Sequence, residues 1–179
     1  MRKLLVIAAS IFVLTMGAAF AQDDDTALDV APDGDTWVGA STGYPFGLTA
    51  HYGLGNALGD GIDLRFNGQF SFAGSFGYSA IGFNLGADAL FNIPVEADDV
   101  KVYAGAGPKL GFILASTNLG IGGASAGGFQ LGAQGLAGAE YLVTDDIGVF
   151  GELRVGLSYL SGFGIGFDPA LFLGANYHF

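Results

Sequence analysis

There is no cysteine among the 179 residues, so neither a disulfide framework nor a thiolate metal site can hold this chain together. Basic residues are almost as scarce. Six Lys and Arg against 17 Asp and Glu give a formal net charge of −11, which repels phosphate and argues against nucleic-acid binding. Charge of either sign makes up only 13% of the sequence. What is abundant is apolar: hydrophobic residues are 51% of the chain and include 16 Phe and 7 Tyr, too many for a disordered polymer. The 32 glycines weigh against helix, since each costs about 1 kcal/mol relative to Ala in a helix interior. The length is that of one domain.

Residues 1–21 read as a secretory signal peptide. Arg2 and Lys3 precede the apolar run Leu4 to Phe20, and Ala19-Phe20-Ala21 supplies a small-residue cleavage site before Gln22. The run is short for a membrane anchor, and no cysteine follows it to carry a lipid. Its removal leaves four basic residues against 17 acidic ones, a net charge of −13. Residues 22–35, QDDDTALDVAPDGD, hold six Asp and almost nothing to bury, so a flexible acidic leader is expected ahead of a domain over 36–179.

Within that domain the pattern has period two. In Ile62 to Phe72, Asp63, Arg65, Asn67, Gln69 and Ser71 alternate with Ile62, Leu64, Phe66, Phe70 and Phe72. Ile81 to Phe91 sets Asn84 and Asp88 against Phe83, Leu85 and Phe91. Val100 to Leu114 sets Lys101, Tyr103 and Lys109 against Val102, Leu110 and Phe112. Phe129 to Val143 and Ile147 to Tyr159 repeat the arrangement with Gln130, Gln134 and Glu140, then Glu152, Arg154 and Ser158. Each strand has one face that tolerates charge and one that does not.

Turn-forming clusters separate these runs at Asn56 to Asp60, Ala73 to Ser75, Pro94 to Asp99, Thr117 to Gly128, Thr144 to Asp146 and Gly162 to Pro169. With Trp37 to Tyr44, Phe46 to Gly53 and Ala170 to Phe179 added, the count is eight strands, or roughly 20 residues per strand and connection. Pro108 lacks the N–H a ladder needs, which predicts a bulge or break there. The fold class is therefore all-β, an eight-stranded antiparallel up-and-down barrel.

The placement of charge chooses between a soluble and a transmembrane barrel. All four basic residues beyond the signal, Arg65, Lys101, Lys109 and Arg154, fall on the polar face of strands, together with Asp63, Asp88, Glu140 and Glu152. Four against four is a neutral set, as a confined interior of low dielectric favours. The opposite face is free of charge, as a surface against lipid requires. A helical membrane span fits less well: Leu110 to Ala139 is uncharged, but glycines and Ser116, Thr117, Asn118 and Ser125 interrupt it.

The end of the chain, Gly174-Ala175-Asn176-Tyr177-His178-Phe179, resembles the C-terminal signal of bacterial outer-membrane barrels, with aromatic residues at alternating positions after a Gly and a final Phe. That family carries a polar residue two places before the Gly, where this chain has Phe172. Glu140 to Val149 is similar to the turn before the penultimate strand in small OmpA-like and OmpW-like barrels. The resemblance implies an outer-membrane location, lipid as surroundings, and the barrel assembly machinery as the partner that reads Gly174, Tyr177 and Phe179. It also implies a monomer, and a last strand ending on the periplasmic side. The turns after strands two, four and six then lie on that side and hold Asp60, Glu96, Asp98, Asp99, Asp145 and Asp146, while the outer loops hold only Asp168.

An eight-stranded barrel is nearly filled by its own side chains. Many inward positions here are nevertheless Gly, among them Gly82, Gly105, Gly138, Gly148, Gly156 and Gly174. Either these sites admit Tyr78, Tyr103, Phe150 and Phe172 packed over them, or they join into a narrow wet lumen. The eight inward charges are correspondingly a structural plug of ion pairs, or a gate. Asp63 with Arg65 and Glu152 with Arg154 are neighbours on one face, and Asp88 with Lys101 can meet across strands. No catalytic set is expected. His51 and His178 fall near the periplasmic end, whereas Ser158 lies at the far end of its strand. A His51, His178 and Asp63 metal site has no recognised spacing, and no phosphate loop or dinucleotide fingerprint implies a cofactor.

Overall fold

The computed structural model describes residues 36–179 except 45, 76, 98 and 119–122; the signal peptide 1–21 and acidic leader 22–35 expected from the sequence lie outside the described residues. Strands follow one another around a closed ring in chain order: β1 Thr36–Tyr44, β2 Gly47–Gly59, β3 Ile62–Ser75, β4 Tyr78–Ile93, β5 Val100–Asn118, β6 Gly123–Leu142, β7 Ile147–Leu160 and β8 Gly164–His178. Every neighbouring pair is antiparallel, and β1 closes on β8 in the register Trp37↔His178 through Tyr44↔Leu171. Closure leaves no unpaired sheet edge around the ring, the standing hazard of an open β-sheet. This is the eight-stranded up-and-down barrel expected from the alternation.

The period-two pattern becomes an inside and an outside. Phe66, Phe83, Phe91, Leu110, Leu131 and Leu157 stand exposed on the outer wall, whereas Arg65, Asp88, Glu140, Glu152 and Arg154 are buried within. In this one-layer wall the core is the lumen. A small apolar cluster of Trp37, Leu90, Tyr103 and Leu136 lies inside it.

The strand ends differ from the sequence reading in an instructive way. β2 runs on to Gly59 through the expected Asn56 turn, its register with β3 shifting between Leu54 and Gly59. Asn56 adopts φ 53° there, and its carboxamide oxygen accepts from the Gly61 N–H at 2.9 Å, the local bonding that lets Asn tolerate this conformation. Ala73 to Ser75 belong to β3, and β8 begins at Gly164 rather than after Pro169. Most of the expected loop Thr117 to Gly128 is strand, paired Asn118↔Gly123 through Phe112↔Phe129. Small residues there read as a loop by composition, but ladder bonds are made by backbone.

Pro108 lies inside β5 without a bulge. Its pairing with Ala133 of β6 is continuous, while the ladder to β4 skips from Gly86↔Lys109 to Ala89↔Ala106 in unchanged register. The missing donor thus interrupts one ladder only.

The barrel has two unlike ends. At the terminal end, where Thr36 and Phe179 exchange backbone hydrogen bonds of 3.3 and 2.9 Å, the strands finish close together. At the distal end the wall is uneven. β3 continues past Ser71, its last partner of Gly47 in β2, and β6 extends beyond Gln130, its last partner of Leu160 in β7.

Candidate functional site

Among the described residues, the chemistry-bearing side chains converge in the lumen, which is built in three layers. In the middle layer Arg65 stands opposite Asp88 in the β3–β4 ladder and binds its Oδ2 through Nη2 at 3.0 Å and Nε at 3.3 Å. The same guanidinium crosses the interior to Glu152 of β7, donating from Nη1 to Oε2 at 2.7 Å and from Nη2 to Oε1 at 3.2 Å. Arg154, two residues along the same face, donates to Glu152 Oε1 through Nε. Asp88 also accepts from Asn67 Nδ2 and Gln134 Nε2, both at 2.8 Å. Two arginines and two carboxylates therefore form a neutral cluster that ties together β3, β4, β6 and β7.

Burial of this cluster is close to complete, with Arg65 2%, Asp88 0%, Glu152 1% and Arg154 3% exposed. Desolvating an ion costs several kcal/mol, which is offset only where geometry and hydrogen bonding are good. The planar fork of Arg65 meets that need by serving two acids at once. Phe172 is fully buried beneath, its ring centroid 4.5 Å from Arg154 Cζ, within cation–π reach.

The layer toward the terminal end is organised by Glu140. Its Oε1 accepts from His178 Nε2 and Asn176 Nδ2, both at 2.9 Å. With its amide donor committed, Asn176 presents Oδ1 to His51 Nε2 at 2.6 Å, so that ring nitrogen is the protonated one. Trp37 stacks on His178 with centroids 6.0 Å apart. Asp63 accepts from Asn92 Nδ2 and the Asn56 N–H, both at 2.9 Å, and Lys101 lines the same mouth beside Tyr103.

The distal layer holds a residue the sequence reading misplaced. Asp168 is not in an outer loop but within β8, directed inward. It accepts from Lys109 Nζ at 2.7 Å, Gln130 Nε2 at 3.3 Å and the Ser158 hydroxyl. Inward charges thus number five acids against four bases rather than four against four. The Gly166-Phe167-Asp168-Pro169 stretch has the composition of a turn, and only its regular pairing with β7, Gly156↔Asp168, reveals the orientation.

Of the expected neighbour pairs, Glu152 with Arg154 is made. Arg65 turns from Asp63 to Asp88 and Glu152, and Asp88 takes Arg65 rather than Lys101. Asn67 and Asn176, which bind the carboxylates, carry only the alternation as a sequence signal. The His51, His178 and Asp63 trio is not assembled, because Glu140 and Asn176 occupy the histidines. Among the described residues no group of three His, Cys, Asp or Glu side chains is placed to hold a metal ion. Ser158 bonds Asp168 in the distal layer while His178 bonds Glu140 in the terminal one, so the two are not partners.

The inward glycines are covered rather than vacant. A Cβ at Gly138 would stand 2.7 Å from Tyr103 Oη, one at Gly174 2.6 Å from Phe150 Cζ, and one at Gly156 2.8 Å from Lys109 Nζ. Tyr78 is the exception among the four inward aromatics, being 44% exposed at the distal mouth. Gly174 accordingly has a packing role inside the barrel. Tyr177 and Phe179 stand outside, their rings stacked with centroids 6.2 Å apart.

No protein-family model matches this sequence, and no curated protein does. Solved structures do. A major outer membrane protein from Thermus thermophilus aligns at a TM-score of 0.62 with 16% identity, over 83% of this chain and 100% of that one. The N-terminal β-barrel domain of Pseudomonas aeruginosa OprF aligns at 0.55 with 15% identity, over 81% and 96%. Neisserial surface protein A aligns at 0.55 with 17% identity, over 81% and 94%. The chain therefore has the fold of small outer-membrane β-barrels.

Proposed function

We propose that this chain is a resident, monomeric barrel of a bacterial outer membrane, with a structural, envelope-stabilising role and an interior closed by paired charges. The observation that carries this reading is the bridge of Arg65 from Asp88 on its neighbouring strand to Glu152 on β7, with Arg154 completing the neutral set. Such a cluster occupies the width of the lumen and resists displacement, because any solute passing it would have to part desolvated charges. The covered glycines support the same view. The charge-free outer wall and the barrel fold support the membrane location. The signal peptide over 1–21 provides the route of export, and the barrel assembly machinery is the partner proposed to read the last strand through Tyr177 and Phe179.

A narrow conducting passage is the competing reading, favoured by buried polar atoms without a protein partner, Arg154 Nη2 and Gln130 Oε1 among them. Planar-bilayer recording of the purified protein decides between the two. A silent bilayer is expected. Stable unitary currents that change with Arg154→Ala or Glu152→Gln would overturn the plug. The membrane location is tested separately: the folded protein is expected to need detergent or lipid for solubility and to shift in electrophoretic mobility on heating.

A further inference from the structure

In the β4–β6 wall the two faces exchange character only near the distal rim, at the height of Ala80–Ala115–Ala126 and several rows beyond the Lys109–Asp168 layer. In that layer and below it, charge is inside and hydrocarbon outside. At the rim, the ladder places Ser79, Ser116 and Ser125 in one outer row, with Ser79 and Ser116 joined Oγ to Oγ at 2.7 Å. The inner row beside it is Ala80–Ala115–Ala126, small and apolar, and the next inner row below, Gly82–Ile113–Gly128, is apolar apart from Ser71 opposite Gly82. An outer face that leaves the bilayer gains by becoming polar. An inner face gains nothing by becoming apolar in front of water, unless something covers it.

Those rows, with Leu160 at the end of β7 and Phe163 in the turn after it, enclose a cavity of about 530 Å³ open at the distal mouth. Its volume is that of a small-molecule site, roughly 300–1,000 Å³. No charged residue lines it. Deeper in the lumen than this lining, Gln130, Ser158 and Lys109 are gathered on Asp168, a polar layer. An occupant matched to these walls is apolar along its inner length and stops short of that polar layer. Only its outer end, beside the Thr117 hydroxyl at the mouth, can carry a polar group.

We propose that the distal cavity binds the hydrocarbon chain of a single-chain amphiphile, whose head group stays in water at the mouth. The inference goes beyond the structural role and does not depend on whether the lumen conducts.

The test uses the full mature chain in lipid nanodiscs, with an indole introduced by Tyr78→Trp at the cavity wall and 11-bromoundecanoate as a heavy-atom quencher. Saturable quenching is expected. Filling the cavity by Ala115→Leu or, on the adjacent strand, Ala126→Leu is expected to raise the half-saturating concentration by about tenfold. Leu114→Ala on the outer face leaves it unchanged. Folding of each variant is verified by its heat-modifiable mobility. A second arm uses nanodiscs of chain-brominated phospholipid with no added fatty acid. Quenching there that either filling variant removes identifies a bilayer lipid chain as the source; quenching only by added bromoundecanoate identifies a free amphiphile. Quenching that grows linearly without saturation, or that both filling variants leave unchanged, overturns the proposal.

Discussion

Arg65 and Glu152 stand 87 positions apart in sequence and on strands four places apart in an eight-strand ring, yet they meet through two hydrogen bonds of 2.7 and 3.2 Å. The pair therefore spans the lumen from wall to opposite wall, where most barrel contacts join adjacent strands. It braces the cylinder across its width, and it does so with the two residues for which water offers no easy substitute.

Removing one member of this brace leaves an uncompensated buried charge. Glu152→Gln is expected to destabilise the folded barrel by about 3–5 kcal/mol, measured as a shift of the denaturant midpoint in lipid vesicles. Glu152→Gln combined with Arg154→Met restores neutrality and is expected to recover part of the loss. A double variant no more stable than Glu152→Gln alone would show that charge balance is not what the cluster supplies.

The distal pair behaves differently. Lys109 and Asp168 join near the mouth, with side chains 12% and 41% exposed. Lys109→Met is expected to change stability by less than about 1 kcal/mol, because water screens the pair and rehydrates the acid left behind. The same midpoint measurement checks it, and a cost as large as that of Glu152→Gln would place the anchoring charges in the wrong layer.

The single tryptophan makes the glycine packing observable. A side chain at Gly53 would collide with the indole of Trp37, whereas a Cβ at outward Gly68 meets only Leu85 at 3.7 Å. Gly53→Val is expected to cost about 1–3 kcal/mol and to red-shift Trp37 emission as the ring is displaced. Gly68→Val is expected to leave the emission unchanged. Equal spectra for the two variants would mean that Trp37 does not rest on Gly53.

Depth along the outer wall sets the cost of a charge against lipid. Leu153, midway along β7, is expected to lose about 2–4 kcal/mol on Leu153→Arg, and Leu58 beside the terminal-end turn about 0–1 kcal/mol on Leu58→Arg. Vesicle folding titrations give both numbers. Similar values at the two positions would be incompatible with a hydrocarbon belt around the strands.

Sequence alone discloses most of the wall, because alternation is a property of each strand by itself. Ile62 to Phe72 announces its faces without knowledge of any partner, and so does Ile147 to Tyr159. What depends on partners is hidden. The top of the tall β5–β6 hairpin, Thr117 to Gly128, reads as a loop because Ala, Ser and Gly carry no alternation, while the ladder there is made by backbone groups common to all residues. Asp168 reads as a loop residue because Gly164 to Pro169 carries the composition of a turn. The bridge from Arg65 to Glu152 requires the ring to be closed before the two walls face each other, so no local spacing could announce it. Phe172, the one departure from the outer-membrane terminal pattern, also acquires its reason only inside the barrel, as the surface on which Arg154 rests.

The uneven distribution of acid between the two ends bears on how such a barrel enters a membrane. The four distal turns contain no charged residue, while the terminal-end turns carry Asp60, Glu96, Asp98, Asp99, Asp145 and Asp146. Hairpins that enter tip-first carry only Phe, Gly, Ser, Leu, Ile and Pro through the hydrocarbon at their turns. Entry from the other end would drag carboxylates through it, at roughly 2.5–3.5 kcal/mol for each Asp at the bilayer centre on insertion scales. For a barrel that enters tip-first the asymmetry would act as a ratchet: the acids left behind would oppose further travel in the same direction and set the depth where the apolar wall ends.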